Sequence, residues 1–371
     1  MWPPCSEGAG NCILIDMPEQ NRLRHEGKVR LVPHAIGLLL LMSAGLVFCQ
    51  RPIPVILDTD LGNDIDDEFA LALAIQSQEI DVRAVTLFGD RMEDRMRLAW
   101  KELGLYGRRD IALGRGATEP LLNFAVTKPW SHFEILTPDD LLPPAINSQA
   151  VSLIANTVLY ASQNITFITT GPLTNLALAM KVDSRIKDRI ARIIVAGGAF
   201  NPPRLEYNIQ RDPIAAEIVF QSGIPITVIS RDVTRDCTLT APDLDRLRNA
   251  QNPASRFLVQ LIQLWQTSHP NEPVTLLDPV AAAVSFQPAL IKTEAGSIVV
   301  ETSDPKKFGE TRFEPGTGSP GERRSTIALA RELDVRKFLD LLIGRISAPP
   351  RSGASSASGT GSGAAVRTTS Q

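Results

Sequence analysis

The chain has 371 residues, of which 43% are hydrophobic, and its formal net charge is −3 at pH 7. This length and apolar content suffice for a large buried core, and without a basic excess the chain lacks the charge of a nucleic-acid-binding protein. A small-molecule substrate is therefore expected.

Residues 1–50 are predicted to form an N-terminal extension that carries an export signal. Four basic residues between positions 22 and 30 lead into an apolar stretch at 35–48, which is short for a membrane span. The pattern is typical of a signal peptide that is cleaved near Cys49 or kept as an anchor. Lipidation of Cys49 is a weaker alternative, because Phe48 stands where lipoprotein signals have a small residue. We therefore expect an exported chain, periplasmic or extracellular.

The first predicted strand, at 55–57, is followed by an unusual concentration of acidic side chains. Six of the fifteen residues from Val55 to Phe69 are Asp or Glu. So many like charges beside a core strand favour a bound cation, and oxygen ligands suit calcium or magnesium rather than zinc. An EF-hand loop does not fit, because alignment on Asp58 places Gly62 one position early and Phe69 where the bidentate Glu belongs.

Two other interpretations of the acidic run remain open from the residues alone. One is a phosphatase-type Asp-x-Asp motif in which Asp58 is the nucleophile and Asp60 the acid. The other is a solvated acidic turn that caps the following helix, because Asp and Asn favour turns and acidic residues suit a helix N-terminus.

Further β-branched, apolar runs alternate with helical patterns along the chain. They lie at 82–87, 165–168, 193–195 and 226–229. This alternation predicts βαβ units in a single α/β domain with a mostly parallel, Rossmann-like open sheet, at 51–347. The carboxyl ends of parallel strands meet in one crevice, so polar blocks that are far apart in sequence can form one site.

The end of the domain is predicted to be a helix capped by Asp334. Val335, Phe338, Leu339 and Leu342 would form its apolar stripe. The tail at 348–371 is rich in Ser, Gly and Ala and has no apolar periodicity, so it is predicted to be disordered. If the chain is cleaved near Cys49, Cys237 is the only cysteine that remains, which leaves no internal disulfide.

The first acidic block, Asp58-Thr-Asp-Leu-Gly-Asn-Asp-Ile-Asp-Asp67, resembles the N-terminal motif of the nucleoside hydrolases. These are calcium-dependent enzymes that cleave the N-glycosidic bond of ribonucleosides. The resemblance extends from about residue 55 to 346, and four more blocks follow in the family's order: Ile168-Thr-Thr-Gly-Pro-Leu-Thr-Asn-Leu-Ala177, Val195-Ala-Gly-Gly-Ala-Phe200, Glu206-Tyr-Asn-Ile-Gln-Arg-Asp-Pro213 and Leu277-Asp-Pro-Val-Ala281.

The resemblance implies a single α/β domain with its site at the carboxyl ends of the strands, and calcium as the cofactor. It assigns the calcium ligands to Asp60, Asp67, the backbone carbonyl of Thr170 and Asp278, with Asp60 also the general base that takes a proton from the attacking water. This agrees with the chemistry, because a divalent ion lowers the pKa of bound water while a neighbouring carboxylate accepts its proton. A homo-oligomer is implied only by analogy with the family.

The sugar contacts also follow from the resemblance. Asp66, Glu206 and Asn208 would hold the ribose hydroxyls, which predicts a preference for ribose over deoxyribose. Asp90 stands where the family often has Asn, and as an acid it can still accept a hydroxyl proton. Asn201, in a loop that is shorter than in many members, is a further ribose contact.

The largest departure from the family lies at Leu277, where inosine/uridine-type members have a His that protonates the leaving base. Other members stack a purine between aromatic rings, so Trp265, Trp130 and Tyr207 become candidates and purine nucleosides are slightly favoured. The histidines His269 and His132 are predicted to be surface or loop residues rather than catalysts. The sequence thus predicts a nucleoside hydrolase, and a nucleoside-binding protein with little turnover is the main alternative.

Overall fold

The computed structural model describes residues 51–122, 131–143, 148–270, 272–316 and 326–351. The described residues belong to one compact unit that begins at Arg51. The predictions for the export signal, for Trp130 and for nearly all of the tail lie outside these residues. No helix in the described part of the chain combines the length and apolar character that crossing a membrane requires.

A nine-stranded sheet forms the centre of the unit, with strand order β3-β2-β1-β4-β5-β6-β9-β7-β8. All neighbours from β3 to β9 pair in parallel, and β7 pairs antiparallel with both β9 and β8. The strands are β1 Ile53–Thr59, β2 Ile80–Leu87, β3 Ala112–Arg115, β4 Ile165–Thr169, β5 Ile190–Ala196, β6 Ile226–Ile229, β7 Ile291–Val300, β8 Thr311–Pro315 and β9 Ile327–Leu333.

Ten α-helices of the described part flank this sheet. They are α1 Asp66–Gln76, α2 Met92–Leu105, α3 Ala150–Tyr160, α4 Thr174–Val182, α5 Tyr207–Arg211, α6 Pro213–Phe220, α7 Ala241–Asn249, α8 Pro253–Ser268, α9 Asp278–Val284 and α10 Val335–Ile346. Short 3-10 helices lie at Phe133–Ile135, Ser184–Arg189 and Pro288–Leu290.

Both faces of the central strands are buried. Val55 and Leu57 of β1 belong to one apolar cluster, and Ile56, which points the opposite way, belongs to a second. A strand that is covered on both sides is a continuous apolar run rather than an alternating one, which is the pattern from which these strands were predicted. The prediction of a single α/β domain with a mostly parallel open sheet is confirmed.

The order of the strands also decides where a ligand can bind. Strand β1 has β2 on one side and β4 on the other, so the connections leaving β1 and β4 run in opposite directions across the sheet. In open α/β sheets such a switch point leaves a crevice outside the carboxyl ends of the strands. Asp60 directly follows β1, and Thr170 directly follows β4.

Candidate active site

Asp60 lies at the floor of the crevice, only 2% exposed. Its neighbour across the switch point is Gly171. A Cβ atom on Gly171 would lie 2.8 Å from the backbone nitrogen of Asp60 and 3.0 Å from its Oδ1. Glycine at this position therefore allows the ends of β1 and β4 to approach each other closely.

Three further aspartates meet beside this point. Asp66 and Asp67 open α1, where acidic side chains complement the partial positive charge of a helix N-terminus. Asp278 opens α9 in the same way. One carboxylate oxygen from each of the three lies within 4.8 Å of the others, and all three residues are buried.

Hydrogen bonds fix Asp67 between the two central strands. Its Oδ1 accepts from the hydroxyl of Thr59 at 2.5 Å and from the hydroxyl of Thr170 at 2.9 Å. The Thr170 amide in turn donates to the carbonyl of Asp58 at 2.8 Å. Asp67 is therefore held to the end of β1 and to the residue that follows β4.

Asp66 connects the acidic loop to the distant last block of the sequence. Its Oδ2 accepts from the backbone N–H of Leu277 at 3.0 Å and of Asp278 at 3.3 Å. These are N–H groups at the start of α9, which has no side-chain cap of its own. The contact sets the position of the Asp278 carboxylate.

Glu206 and Asn208 reach the same crevice from the far side of β5. Glu206 is the N-cap of α5, and its Oε2 also accepts from the Gly198 amide at 2.8 Å. The Asn208 side-chain amide donates to the carbonyl of Thr170 at 3.0 Å and to that of Ala196 at 3.1 Å. A carbonyl oxygen has two lone pairs, so the Thr170 oxygen can accept one interaction in addition to the hydrogen bond from Asn208.

Asp90 and Asn201 lie at more exposed positions. Asp90 follows Gly89 after β2, and its Oδ1 accepts from Arg95 at 3.1 Å while the side chain is 74% exposed. Asn201 is exposed after β5, and its backbone N–H donates to Asp232 at 3.3 Å. Hydrogen bonds join Asp67, Thr170, Asn208 and Glu206 in one group and Asp66 with Asp278 in another. The three aspartate carboxylates bring the two groups together, whereas Asn201 is held by a separate contact.

The donor set suits a hard divalent cation. The cluster of Asp66, Asp67 and Asp278 offers carboxylate oxygens without thiolate or imidazole, which fits calcium or magnesium better than zinc. Close by, burial raises the pKa of Asp58 to about 7 although Thr86 and Asn175 donate to its Oδ1, and the charge of Asp60 raises it further. Acids that are crowded and buried in this way keep their charge more easily beside a cation.

Comparison with known proteins identifies the family to which this fold belongs. The family model of the inosine-uridine preferring nucleoside hydrolases matches residues 55–340. The chain belongs to this family. Membership confirms the resemblance found in the sequence and the prediction of a hydrolase that acts on N-glycosyl bonds.

Relatives of this nucleoside hydrolase carry different base preferences in their names. The pyrimidine-specific ribonucleoside hydrolase RihA of Salmonella schwarzengrund is 34% identical over 309 residues, which cover 79% of this chain and 98% of that protein. A purine-preferring ribonucleoside hydrolase from Gardnerella vaginalis has a solved structure with a TM-score of 0.68 and 29% identity, covering 79% of this chain and 98% of that one. A plant nucleoside hydrolase, PpNRh1, gives a TM-score of 0.71 at 27% identity over 80% of this chain and all (100%) of that one.

The position at which the sequence resemblance implied a leaving-group acid in some members is apolar in this nucleoside hydrolase. Leu277 is 4% exposed and packs in the larger apolar cluster. Trp265 is 8% exposed in the larger apolar cluster and stacks on His269 at the end of its own helix, with ring centroids 4.6 Å apart and planes 10° apart. Tyr207 is half-buried beside Glu206. The predicted preference for purines stays a prediction.

Sequence reasoning did not identify two buried polar residues that contact the acidic loop and the helix that follows it. His132 does lie in a loop, as predicted, but it is fully buried and its Nε2 lies 2.6 Å from Glu68 Oε1. Arg95, in α2, is 1% exposed and contacts the acidic loop. Arg and His side chains are seldom fully buried, on helices or in loops, so no local pattern indicated that either side chain would be buried.

Proposed function

We propose that the protein hydrolyses the N-glycosidic bond of ribonucleosides to free base and ribose, with calcium at the acidic site and Asp60 as the general base. The observation that carries this proposal is the meeting of buried aspartate carboxylates at the switch point of the sheet. Family membership supports the reaction, and the oxygen-only donor set supports calcium.

The proposed calcium ligands are Asp60, Asp67, Asp278 and the backbone carbonyl of Thr170. Three observations support this ligand set. The carboxylates of Asp67 and Asp278 lie close together, Thr170 donates a hydrogen bond to Asp67, and Asp60 lies against Gly171, the residue after Thr170. When bound, the ion would lower the pKa of a water molecule and help to fix it near the sugar.

Asp60 would accept the proton of that water as the bond to the anomeric carbon forms. Its carboxylate is buried, so it acts in a low-dielectric pocket where a fixed geometry favours proton transfer. Direct attack by water from one face inverts the configuration at the anomeric carbon.

The sugar would be held by Asp66, Glu206 and Asn208, with Asp90 and Asn201 as further contacts. Glu206 and Asn208 are already oriented by backbone hydrogen bonds, so little side-chain entropy is lost when a ribose binds. A substrate without the 2′-hydroxyl would leave a buried polar group unpaired, and this is the basis for a preference for ribose.

The test measures reducing-sugar release from inosine, adenosine, uridine and 2′-deoxyinosine, with calcium and with a chelator. We expect calcium-dependent release from ribonucleosides and much less from the deoxynucleoside. Asp60→Asn should lower kcat by about 10²- to 10⁴-fold, the usual contribution of a general base. Asp64→Asn is the matched control on the same loop, because Asp64 is outside the proposed site and should leave release nearly unchanged.

A second candidate function is a nucleoside-binding protein, and the observation that favours it is the apolar, buried Leu277 where an acid for the leaving base would stand. The same assay separates the two. Tight nucleoside binding by calorimetry without sugar release, in the presence of calcium, would reject the hydrolase and support the binding protein.

A further inference from the structure

Arg95 is the largest of the fully buried side chains among the described residues, and no part of the proposed chemistry yet uses it. It projects from the first turns of α2 and is 1% exposed. Burying a guanidinium is costly unless its donors find acceptors, so the contacts that compensate for its burial show what it does.

All five N–H groups of the guanidinium have an acceptor. Nη1 donates to the backbone carbonyls of Asp60 and Leu61, the second at 2.6 Å. Nη2 donates to the side chains of Asn63, at 2.8 Å, and Asp90, at 3.1 Å, and Nε donates to the Asp90 carbonyl at 2.7 Å. The rigid fork of arginine matches this arrangement, whereas lysine offers only three donors from one atom.

These acceptors lie on two different loops of the site. Asp60, Leu61 and Asn63 follow β1, and Asp90 follows β2. One of the loops carries the proposed base and the other a proposed sugar contact. A single buried cation therefore connects the two loops, mostly through backbone carbonyls, and its hydrogen bond to Asp60 is to the carbonyl oxygen of that residue.

The surrounding residues leave room for this guanidinium. Gly89 has φ +115°, and a Cβ there would lie 2.8 Å from Arg95 Nη2 and 3.0 Å from its Cζ. The ring of Phe133 packs against the guanidinium, 5.5 Å from Cζ to the centroid. Phe133 also fills the space where a Cβ on Gly62 would sit, with a ring atom 2.3 Å from that position. Gly89 and the ring of Phe133 thus enclose the guanidinium, and Gly62 leaves the space that the ring of Phe133 occupies.

We propose that Arg95 is a positioning residue for the reaction: it fixes the main chain at Asp60 and orients Asp90, so that the base and the sugar contact keep a constant separation. The proposal rests on the proposed function for what the two loops do. It concerns a residue that touches neither the substrate nor the cation.

The test compares Arg95→Lys with Arg97→Lys. Arg97 is on the same helix and also donates to two backbone carbonyls, those of Asp140 at 2.6 Å and Thr137 at 2.7 Å, and to the Asp94 carboxylate at 3.3 Å. It differs from Arg95 in that its acceptors are outside the site. Arg97 is also less buried, with 26% of its side chain exposed against 1% for Arg95. The pair therefore matches the kind of interaction lost and varies its location and its burial.

The first readout is amide hydrogen exchange of the protein in chelator, measured by mass spectrometry. For Arg95→Lys we expect exchange about tenfold faster in peptides that cover residues 60–65 and 88–91, with the rest of the chain unchanged, because loss of the connection permits local opening. For Arg97→Lys these two peptides should exchange as in the wild type.

The second readout is calcium affinity by calorimetry, together with kcat and KM. Residues that orient ligands from outside typically contribute about 10- to 100-fold to metal affinity or activity. We expect losses of this size for Arg95→Lys, mainly in kcat and calcium affinity, and changes of less than about threefold for Arg97→Lys.

The outcomes distinguish this proposal from the one on which it rests. If the wild type releases no ribose but the two variants show the expected exchange pattern, the proposed function is rejected. The connection of the two loops by Arg95 is then still supported. If Arg95→Lys and Arg97→Lys give equal exchange in both loops, or equal losses of calcium affinity and kcat, the positioning role is wrong and Arg95 is an ordinary structural residue.

Discussion

Glu102 is a further buried acidic residue, and the charge of Asp67, a proposed calcium ligand, acts on it. Glu102 of α2 is 0% exposed, and neither of its carboxylate oxygens has a hydrogen-bond partner in the described part of the chain. Burial, followed by the charges of Glu68 and Asp67, raises the pKa of Glu102 well above its ordinary value. Glu102 in turn adds to the effect of burial in raising the pKa of Tyr106. The Glu102 carboxyl is therefore expected to be neutral in the folded protein near pH 7.

Glu102→Gln should stabilise the protein increasingly as the pH rises. An unfolded chain releases this proton near pH 4.3, about the ordinary pKa of glutamate, whereas the folded protein keeps it. Below that pH, protonated Glu102 makes its full contribution to the free energy of unfolding. As the pH rises from there towards the raised pKa of the folded state, this contribution is lost. The advantage of the variant should grow by up to about 1.4 kcal/mol per pH unit.

The measurement is urea unfolding of both proteins in chelator between pH 4.5 and 8. Glu301→Gln provides a control whose difference from the wild type should stay constant over this range, because the amides of Ser303 and Asp304 hold the pKa of Glu301 below its ordinary value. The stability that ionised Glu301 adds is present above the ordinary glutamate pKa and lost below it. A constant difference between Glu102→Gln and the wild type over the whole range would contradict a raised pKa for Glu102.

At the scale of elements, one buried carboxylate joins three segments of the chain. Asp212 is 0% exposed and caps α6 by accepting from the Ala215 amide at 3.0 Å through Oδ1. Its Oδ2 accepts from the hydroxyl of Thr174, at the start of α4, at 2.7 Å and from the amide of Leu121 at 2.9 Å. A cap that is shared in this way fixes the relative position of two helices and the loop after β3.

Asp212→Ala should therefore cost more stability than loss of an ordinary cap. An exposed N-cap contributes about 1 kcal/mol, and each buried donor that is left without an acceptor costs about 1–3 kcal/mol. We expect a loss of about 3–5 kcal/mol for Asp212→Ala. Asp334→Ala is the matched control, because Asp334 caps α10 at an exposed position and accepts only from Lys337 among the described amides.

Equilibrium unfolding in denaturant measures both losses under the same conditions. Asp212→Asn adds an intermediate case, because it keeps the cap oxygen but replaces the oxygen that faces Thr174 and Leu121 with an amide nitrogen. Equal losses for Asp212→Ala and Asp334→Ala would show that the three-way junction contributes nothing beyond the cap.

For the whole molecule, the open parallel sheet assembles the site. Asp67, Thr170 and Asp278 come from the ends of separate elements, and they meet because β1 and β4 are neighbours at the switch point. A cation held by such residues binds the folded chain and not the unfolded one, so its binding energy adds to the stability of the entire unit. Export and a homo-oligomeric assembly stay predictions.

Calcium should accordingly raise the melting temperature, and a chelator should lower it. At a free calcium concentration about 100 times the dissociation constant, the added stability is about 2.7 kcal/mol. Asp67→Asn should remove most of this response, while magnesium at equal concentration should give less of it because magnesium demands stricter geometry. Scanning calorimetry of the wild type and Asp67→Asn tests this, and melting temperatures of the wild type that do not respond to calcium would reject calcium as its resident ion.

The sequence by itself determined the elements whose signals are local. The predicted runs at 55–57, 82–87, 165–168, 193–195 and 226–229 all lie within observed strands, because strands buried on both faces are continuous apolar runs. The Asp334 cap is confirmed for the same reason, since a cap needs only residues within one turn. The family and its reaction followed from the ordered acidic and amide motifs, and the comparisons confirmed them.

The tertiary structure alone decided which distant residues meet. Strands β3, β7, β8 and β9 escaped prediction. Strand β3 has only four residues, and β7, β8 and β9 are partly exposed, so none of them is a fully buried apolar run. Arg95 reaches Asp60 across 35 positions and His132 reaches Glu68 across 64. Burial of a charge depends on acceptors that lie elsewhere in the chain, so only the packed structure shows that these two side chains are buried against Asp60 and Glu68.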